Sequence, residues 1–171
     1  MLQSLFRKRV AHMAPVLALM TGAWACGSSE EEGPSVAGRS PALDSVSLKS
    51  QRDGTSHEAG ANCMACHGPN GTAPGLFTVA GTAFASPEGP PLSDAVVTLS
   101  TAPNGGGTVV LTLEADASGN FYTTETMPFP EQSLFPRLTR RTSTAFNFMS
   151  FPTMSGACNS CHAGNNPVDL E

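Results

Sequence analysis

Apolar and polar residues fall into three regimes along the chain. Residues 10–25 are largely apolar, residues 27–56 show no sustained apolar period, and residues 76–151 alternate in short stretches rich in β-branched and aromatic side chains. The third regime predicts strands. Residues 76–84 carry Phe77, Val79, Thr82 and Phe84 without a charge and read as the first. Residues 88–91, with Gly89, Pro90 and Pro91, make a turn; residues 95–99 form a second strand; residues 103–107 end in three glycines and form a loop. Residues 109–113 are a third strand, 116–120 a turn rich in Ser and Gly, and 121–123 the start of a fourth. Residues 134–142 and 145–151 add one or two more. Short strands at regular spacing with Gly and Pro turns specify a mainly β chain, a small sandwich or barrel over residues 76–151.

The first regime is an address. Arg7-Lys8-Arg9 precedes it, His12 and Pro15 interrupt it, and it ends at Ala23-Trp24-Ala25 before Cys26. It is shorter than the roughly 20 residues a membrane-spanning helix needs. A basic start, a short apolar middle and an A-x-A ending describe a secretory signal peptide over residues 1–25. The alternative is a buried N-terminal helix, but nothing caps it. Cys26 directly after the cut resembles the lipobox of bacterial lipoproteins, with Ala23 where Leu is usual and a bulky Trp24. That resemblance implies that Cys26 receives lipid, becomes the mature N-terminus and holds the chain to a membrane, in the periplasm or at the cell surface. The alternative is plain secretion with a free Cys26 thiol. The second regime carries Glu30-Glu31-Glu32 among Ser, Gly and Pro, so residues 26–56 read as the lipidated cysteine and a disordered tether. Leu43, Val46 and Leu48 offer one marginal helical turn at most.

Composition narrows the function classes. The chain has 171 residues, only 13% of them charged, with Gly 17 and Pro 14. A long helical bundle, a large α/β enzyme and a transporter are excluded. The net charge is −5, and near −8 once the signal is removed, because three of the nine bases leave with it and none of the fourteen acids does. Such a chain is not built for nucleic acid. Five cysteines are present; four form two tight pairs and Cys26 is left over.

Those pairs carry the chemistry. Cys63-Met64-Ala65-Cys66-His67 and Cys158-Asn159-Ser160-Cys161-His162 both fit C-x-x-C-H, the attachment pattern for c-type haem. Two thiols at this spacing meet the two vinyl groups of one porphyrin, and the following histidine comes under the ring as the proximal iron ligand. The expectation is two covalent haems, on a segment at 57–75 and another at 152–171, with Cys63, Cys66, Cys158 and Cys161 holding the rings and His67 and His162 on iron. The alternatives are a zinc site or disulfides, which would leave a surface module that binds glycan or protein. Zinc ribbons separate their pairs by about 15–20 residues, whereas Cys66 and Cys158 are 92 positions apart. Neither alternative needs a histidine after each pair.

Two six-coordinate haems need four axial ligands. After the signal the chain has only three histidines, so both haems cannot be bis-histidine within one chain. Methionine is the usual substitute and raises the potential. His57, six residues before Cys63, is the candidate distal ligand of the first haem. Met149, nine residues before Cys158, is preferred over Met154 for the second, because it has more chain with which to round the ring edge. His57 as a solvated loop residue, the methionines as core fillers, and an open sixth position are the competing readings. Arg137, Arg140 and Arg141 read as the charge of a solvated strand edge. No hydrolase or phosphate-binding motif is present.

Two further resemblances bear on fold and function. Val79-x-Gly81, Pro91-Leu92-x-x-Ala95-x-Val97-x-Leu99 and Asp116-x-x-Gly119-x-Phe121 resemble the carboxypeptidase regulatory-like, transthyretin-type β-sandwich over about 50 residues. That implies a prealbumin-like fold without catalysis. The combination with C-x-x-C-H motifs on both sides is similar to small exported bacterial dihaem c-type cytochromes. It implies electron transfer to a redox protein partner, with the haems lying exposed against the sandwich rather than wrapped in helices.

Overall fold

The computed structural model describes residues 39–164 and 166–170. The alternation in the sequence becomes β1 (Val79–Thr82), β2 (Ala95–Ser100), β3 (Val109–Glu114), β4 (Asn120–Thr123), β5 (Phe135–Arg140), β6 (Phe146–Phe148) and β7 (Gly156–Ala157). Three single-turn helices accompany them: α1 (Pro41–Asp44), α2 (Met64–His67) and α3 (Cys158–Cys161). One sheet has the order β4-β1-β7 and the other β3-β2-β5-β6. All pairings are antiparallel except β1 with β7. The mainly β, two-sheet architecture expected from the pattern is the one found. Among the described residues no helix is long and apolar enough to cross a membrane.

The core follows from period-two alternation. Ala95, Val97 and Leu99 of β2, Leu111 and Leu113 of β3 and Leu138 of β5 turn inward to meet Val79 of β1 and Phe121 of β4. Leu92 and Leu134 complete the cluster. Phe121 is the largest fully buried side chain and follows the Asp116–Gly119 turn, as the sequence pattern requires.

Three boundaries differ from the sequence reading. The first strand is shorter than 76–84, because residues 76–78 are occupied in leading away from α2: the Phe77 N–H donates to the His67 carbonyl at 2.9 Å. The segment 152–171 is not a separate appendage. Its β7 pairs in parallel with β1, Val79 with Gly156 and Ala80 with Ala157. A side chain at Gly156 would begin 2.1 Å from the Thr78 carbonyl oxygen, so only glycine permits this approach.

The third difference concerns the expected tether. Of its residues, 39–56 lie against the sandwich rather than in solvent. Leu48 and Ser50 run along the edge of β4: Ser50 N–H donates to Tyr122 O and Thr124 N–H to Leu48 O, both at 2.9 Å. The Ser50 hydroxyl, buried, reaches Glu114 O at 2.7 Å. Arg39 pairs with Asp44 and donates to the carbonyls of Gly71 (2.7 Å) and Ala73 (2.5 Å). The marginal helical turn is α1. This docking uses backbone hydrogen bonds, which leave no apolar period to read, and it covers an otherwise open sheet edge. The signal peptide, Cys26 and residues 27–38 lie outside the described residues.

The three arginines do not mark a strand edge, because β5 lies between β2 and β6, and each meets a partner there. Arg140 Nε lies 3.1 Å from both Asp94 carboxylate oxygens, Arg141 donates to Ser93 O, and the Arg137 guanidinium lies 4.8 Å from the centre of the Phe146 ring.

Replacing Phe121 by Ala empties the centre of this core and is expected to cost about 3–5 kcal/mol. A urea denaturation midpoint unchanged from the parent chain would show that the sheets do not close on Phe121.

Candidate functional site

Both C-x-x-C-H motifs fold as one helical turn. In the first, Cys63 stands at the start of α2 and its carbonyl accepts from the N–H groups of Cys66 (3.2 Å) and His67 (2.9 Å). In the second, the His162 N–H donates to Cys158 O at 2.9 Å. Residues three apart on a helical turn are neighbours, so each turn brings its two sulfurs to one side and sets the histidine just beyond. The two rings are then fixed in the same manner. His67 Nδ1 lies 2.9 Å from Pro74 O, and His162 Nδ1 lies 3.2 Å from Asn166 O. A carbonyl only accepts, so Nδ1 carries the proton and Nε2 of the neutral ring keeps its lone pair for a metal.

The first turn lines an open cleft of about 660 Å³ on the outer side of β4. Cys63, Cys66 and His67 share it with His57, Phe77 and Tyr122. His67 stacks on Phe77 with ring centres 4.1 Å apart and planes 3° off parallel, and Phe77 stacks on Tyr122 at 4.9 Å. The ring plane of His67 is therefore set by Phe77, which itself rests on Tyr122 of β4. His57 stands with its ring centre 6.3 Å from that of His67, tilted by 35°. That spacing brings both imidazoles into one cleft.

The second turn lines a groove of about 190 Å³ that reaches the interior of the sandwich. Cys158, Cys161 and His162 share it with Met149, over a floor that includes Val97, Phe121 and Leu138. Met149 is half-buried. Met154 is 65% exposed and does not line the groove, and Met127 packs against the core as a filler. Cys158 fits against β1 because Gly81 has no side chain: a Cβ there would lie 2.8 Å from Cys158 Cβ and 2.6 Å from Phe121 Cζ.

Burial sets the state of the inner thiols. Desolvation pushes the Cys158 thiol up to about 12, and it raises that of Cys63. A thiol must ionise to bind zinc or to act in thiol exchange, whereas a thioether is neutral and suits an apolar wall. The four described cysteines are unpaired, and among the described residues no group of three or more His, Cys, Asp or Glu side chains could hold a metal ion. The donor set fits haem: paired thiols on one turn, a histidine with free Nε2, and a cleft beside each.

The sequence-derived candidates thus separate into two groups, His57 with the first turn and Met149 with the second. Phe77, Tyr122, Thr82, Asn120 and Asn159, which build the surroundings, carried no local signal. Only a pairing of distant residues would have found them.

The alkaline behaviour of Cys158 checks this site. The folded chain holds the thiol proton to about pH 12, against an ordinary value of 9.0. Stability should be unaffected below pH 9 and fall as pH rises towards 12, since the unfolded chain then releases a proton that the folded chain retains. Urea midpoints of the free-thiol chain should therefore decline between pH 8 and 10.5 relative to Cys158→Ala; parallel decline would mean that Cys158 is not buried in this way. No family model matches the chain, and no curated protein or solved structure matches it.

Proposed function

We propose that the chain is a dihaem c-type cytochrome that transfers electrons on the far side of the cytoplasmic membrane. On this reading Cys63 and Cys66 hold one haem and Cys158 and Cys161 the other, with His67 and His162 on the two irons. His57 completes the first site and Met149 the second. The signal peptide directs export, and lipid on Cys26 keeps the chain at a membrane, within reach of a redox protein partner. The carrying observation is the repetition of one local design: two C-x-x-C-H turns, each with a histidine Nδ1 bound to a backbone carbonyl, each opening on its own cleft. One distal candidate lines each cleft, which four axial positions and three histidines require.

Bound haem supplies a one-electron iron couple; the chain supplies ligands, orientation and electrostatics. Pro74 O and Phe77 hold the His67 ring in one tautomer and one plane. In the second site Asn166 O does the first of these, and the floor of the cleft is apolar. Histidine with histidine favours the lower potential, and histidine with methionine in apolar surroundings the higher. The carboxylate of Asp116, buried beside the first cleft and bonded to Ser56 and Asn120 that line it, adds in the same direction, while Asp169 and Arg137 line the second cleft with opposite charges. Electrons then run from the first site to the second.

Chain matured with the c-type attachment machinery should carry two covalent haems by pyridine haemochrome assay and intact mass. Potentiometric titration should resolve two components. Met149→Ala should lower the upper one and leave the lower unmoved. Absence of covalent haem would end this reading, and equal movement of both components would remove the ligand assignment.

A further inference from the structure

Residues 56–61 carry His57 yet belong to no helix or strand. Side chains from elsewhere hold them in place. Asn120 Nδ2 donates to Ser56 Oγ and to His57 O, both at 2.9 Å. Ser118 Oγ donates to Ser56 O at 2.7 Å, and the Gly60 N–H donates to Thr82 Oγ1 at 2.8 Å. The fifth tie comes from within the second C-x-x-C-H motif: Asn159 Nδ2 donates to Ala61 O at 2.8 Å, across 98 positions of sequence.

Asn159 is 3% exposed, and its whole amide is used. Its second Nδ2 proton goes to Thr82 Oγ1 at 3.1 Å, and its Oδ1 accepts from the Thr82 N–H at 3.1 Å. Thr82 Oγ1 then donates to Asn120 Oδ1, and Asn120 is the residue that holds His57 O. Asn159 thus reaches the His57 segment by two routes: directly through Ala61, and through Thr82 and Asn120. Neither thioether formation nor iron ligation needs an amide between the two cysteines. Its burial and complete pairing point to a task outside its own haem.

We propose that Asn159 is a positioning residue for the first site, holding the segment that brings His57 to the iron bound by His67. The sixth ligand of the first haem is then in place only while the second C-x-x-C-H turn is docked on β1. This rests on the dihaem reading and goes beyond it, since it makes the two sites one unit of assembly.

The test uses the full chain carrying its haems, with carbon monoxide as the probe of open iron. Parent protein should take up no carbon monoxide at the first haem. His57→Ala should open that site, giving one equivalent per chain and a high-spin spectrum for one haem. Asn159→Ala should reproduce this loss of ligation with two haems still attached and the spectrum of the second unchanged. Thr82→Val removes only the indirect route and leaves the bond from Asn159 to Ala61, so Asn159→Asp, which keeps the size and Oδ1 but loses both Nδ2 donors, decides the matter if Asn159→Ala fails to mature. Retained closed iron in Asn159→Ala, or in Asn159→Asp when that variant decides, overturns the proposal, even where His57→Ala opens the site. An unaltered spectrum in His57→Ala overturns it differently, by removing the ligand it depends on. Chains without covalent haem identify failure of the cytochrome reading itself.

Discussion

The hydroxyl of Thr82 is the point on which both candidate sites turn. It donates to Asn120 and accepts from Gly60 and Asn159, so the donor and both lone pairs are occupied with no exposure to solvent. An unsatisfied buried group costs about 1–3 kcal/mol, and removing any one partner here strands at least one other. The next residue back, Gly81, faces the opposite side of β1 and receives Cys158 against Phe121. One four-residue strand, buried on both faces, therefore carries the ties of the first turn and the seat of the second. Alternation of side chains along a strand assigns the two sites to its two faces.

That division gives the sites different surroundings. The first has an aromatic stack on one side and a polar network on the other, ending in the Asp116 carboxylate. Its two oxygens accept from Ser56 Oγ, Ser118 N–H and Asn120 N–H. The second reaches apolar core side chains, and its inner thiol is desolvated. In a medium of low effective dielectric a fixed carboxylate acts over several ångströms with little screening. It stabilises whichever state of a nearby centre is more positive. On the proposed reading, the same asymmetry that packs the fold also separates the two potentials.

The strands and cysteine motifs were legible because each is a local pattern. Leu99 stands between Thr98 and Ser100, and Cys63 and Cys158 stand in five-residue signatures. His57 and Met149 were reached by counting axial positions and by chain proximity, and each lines the cleft beside its own motif. Asn159, Thr82 and Asn120 were invisible, because nothing near them in sequence indicates that they meet. β7 is two residues long and fell within the segment 152–171, read only as the place of the second haem. Residues 39–56 have no apolar period because they dock through backbone groups, with Ser50 and Arg39 taking carbonyl partners that any sequence offers. Composition describes what a segment can bury; it does not reveal what its backbone can join.

A β-sandwich between the two halves of a paired site has a physical logic. The motifs are 92 positions apart, and a flexible linker of that length would leave their separation undefined. Closing a longer loop adds only about 0.6 kcal/mol per doubling of length, so distance in sequence is a minor cost once the intervening chain folds on its own core. What the fold adds is rigidity. The parallel pairing of β7 with β1 and the amide of Asn159 bring the second turn back beside residue 61, at hydrogen-bond precision. Transfer between two redox centres depends steeply on their separation and not on the length of chain between them. On the proposed reading, twelve buried apolar residues in the sandwich fix that separation without wrapping either centre in helices.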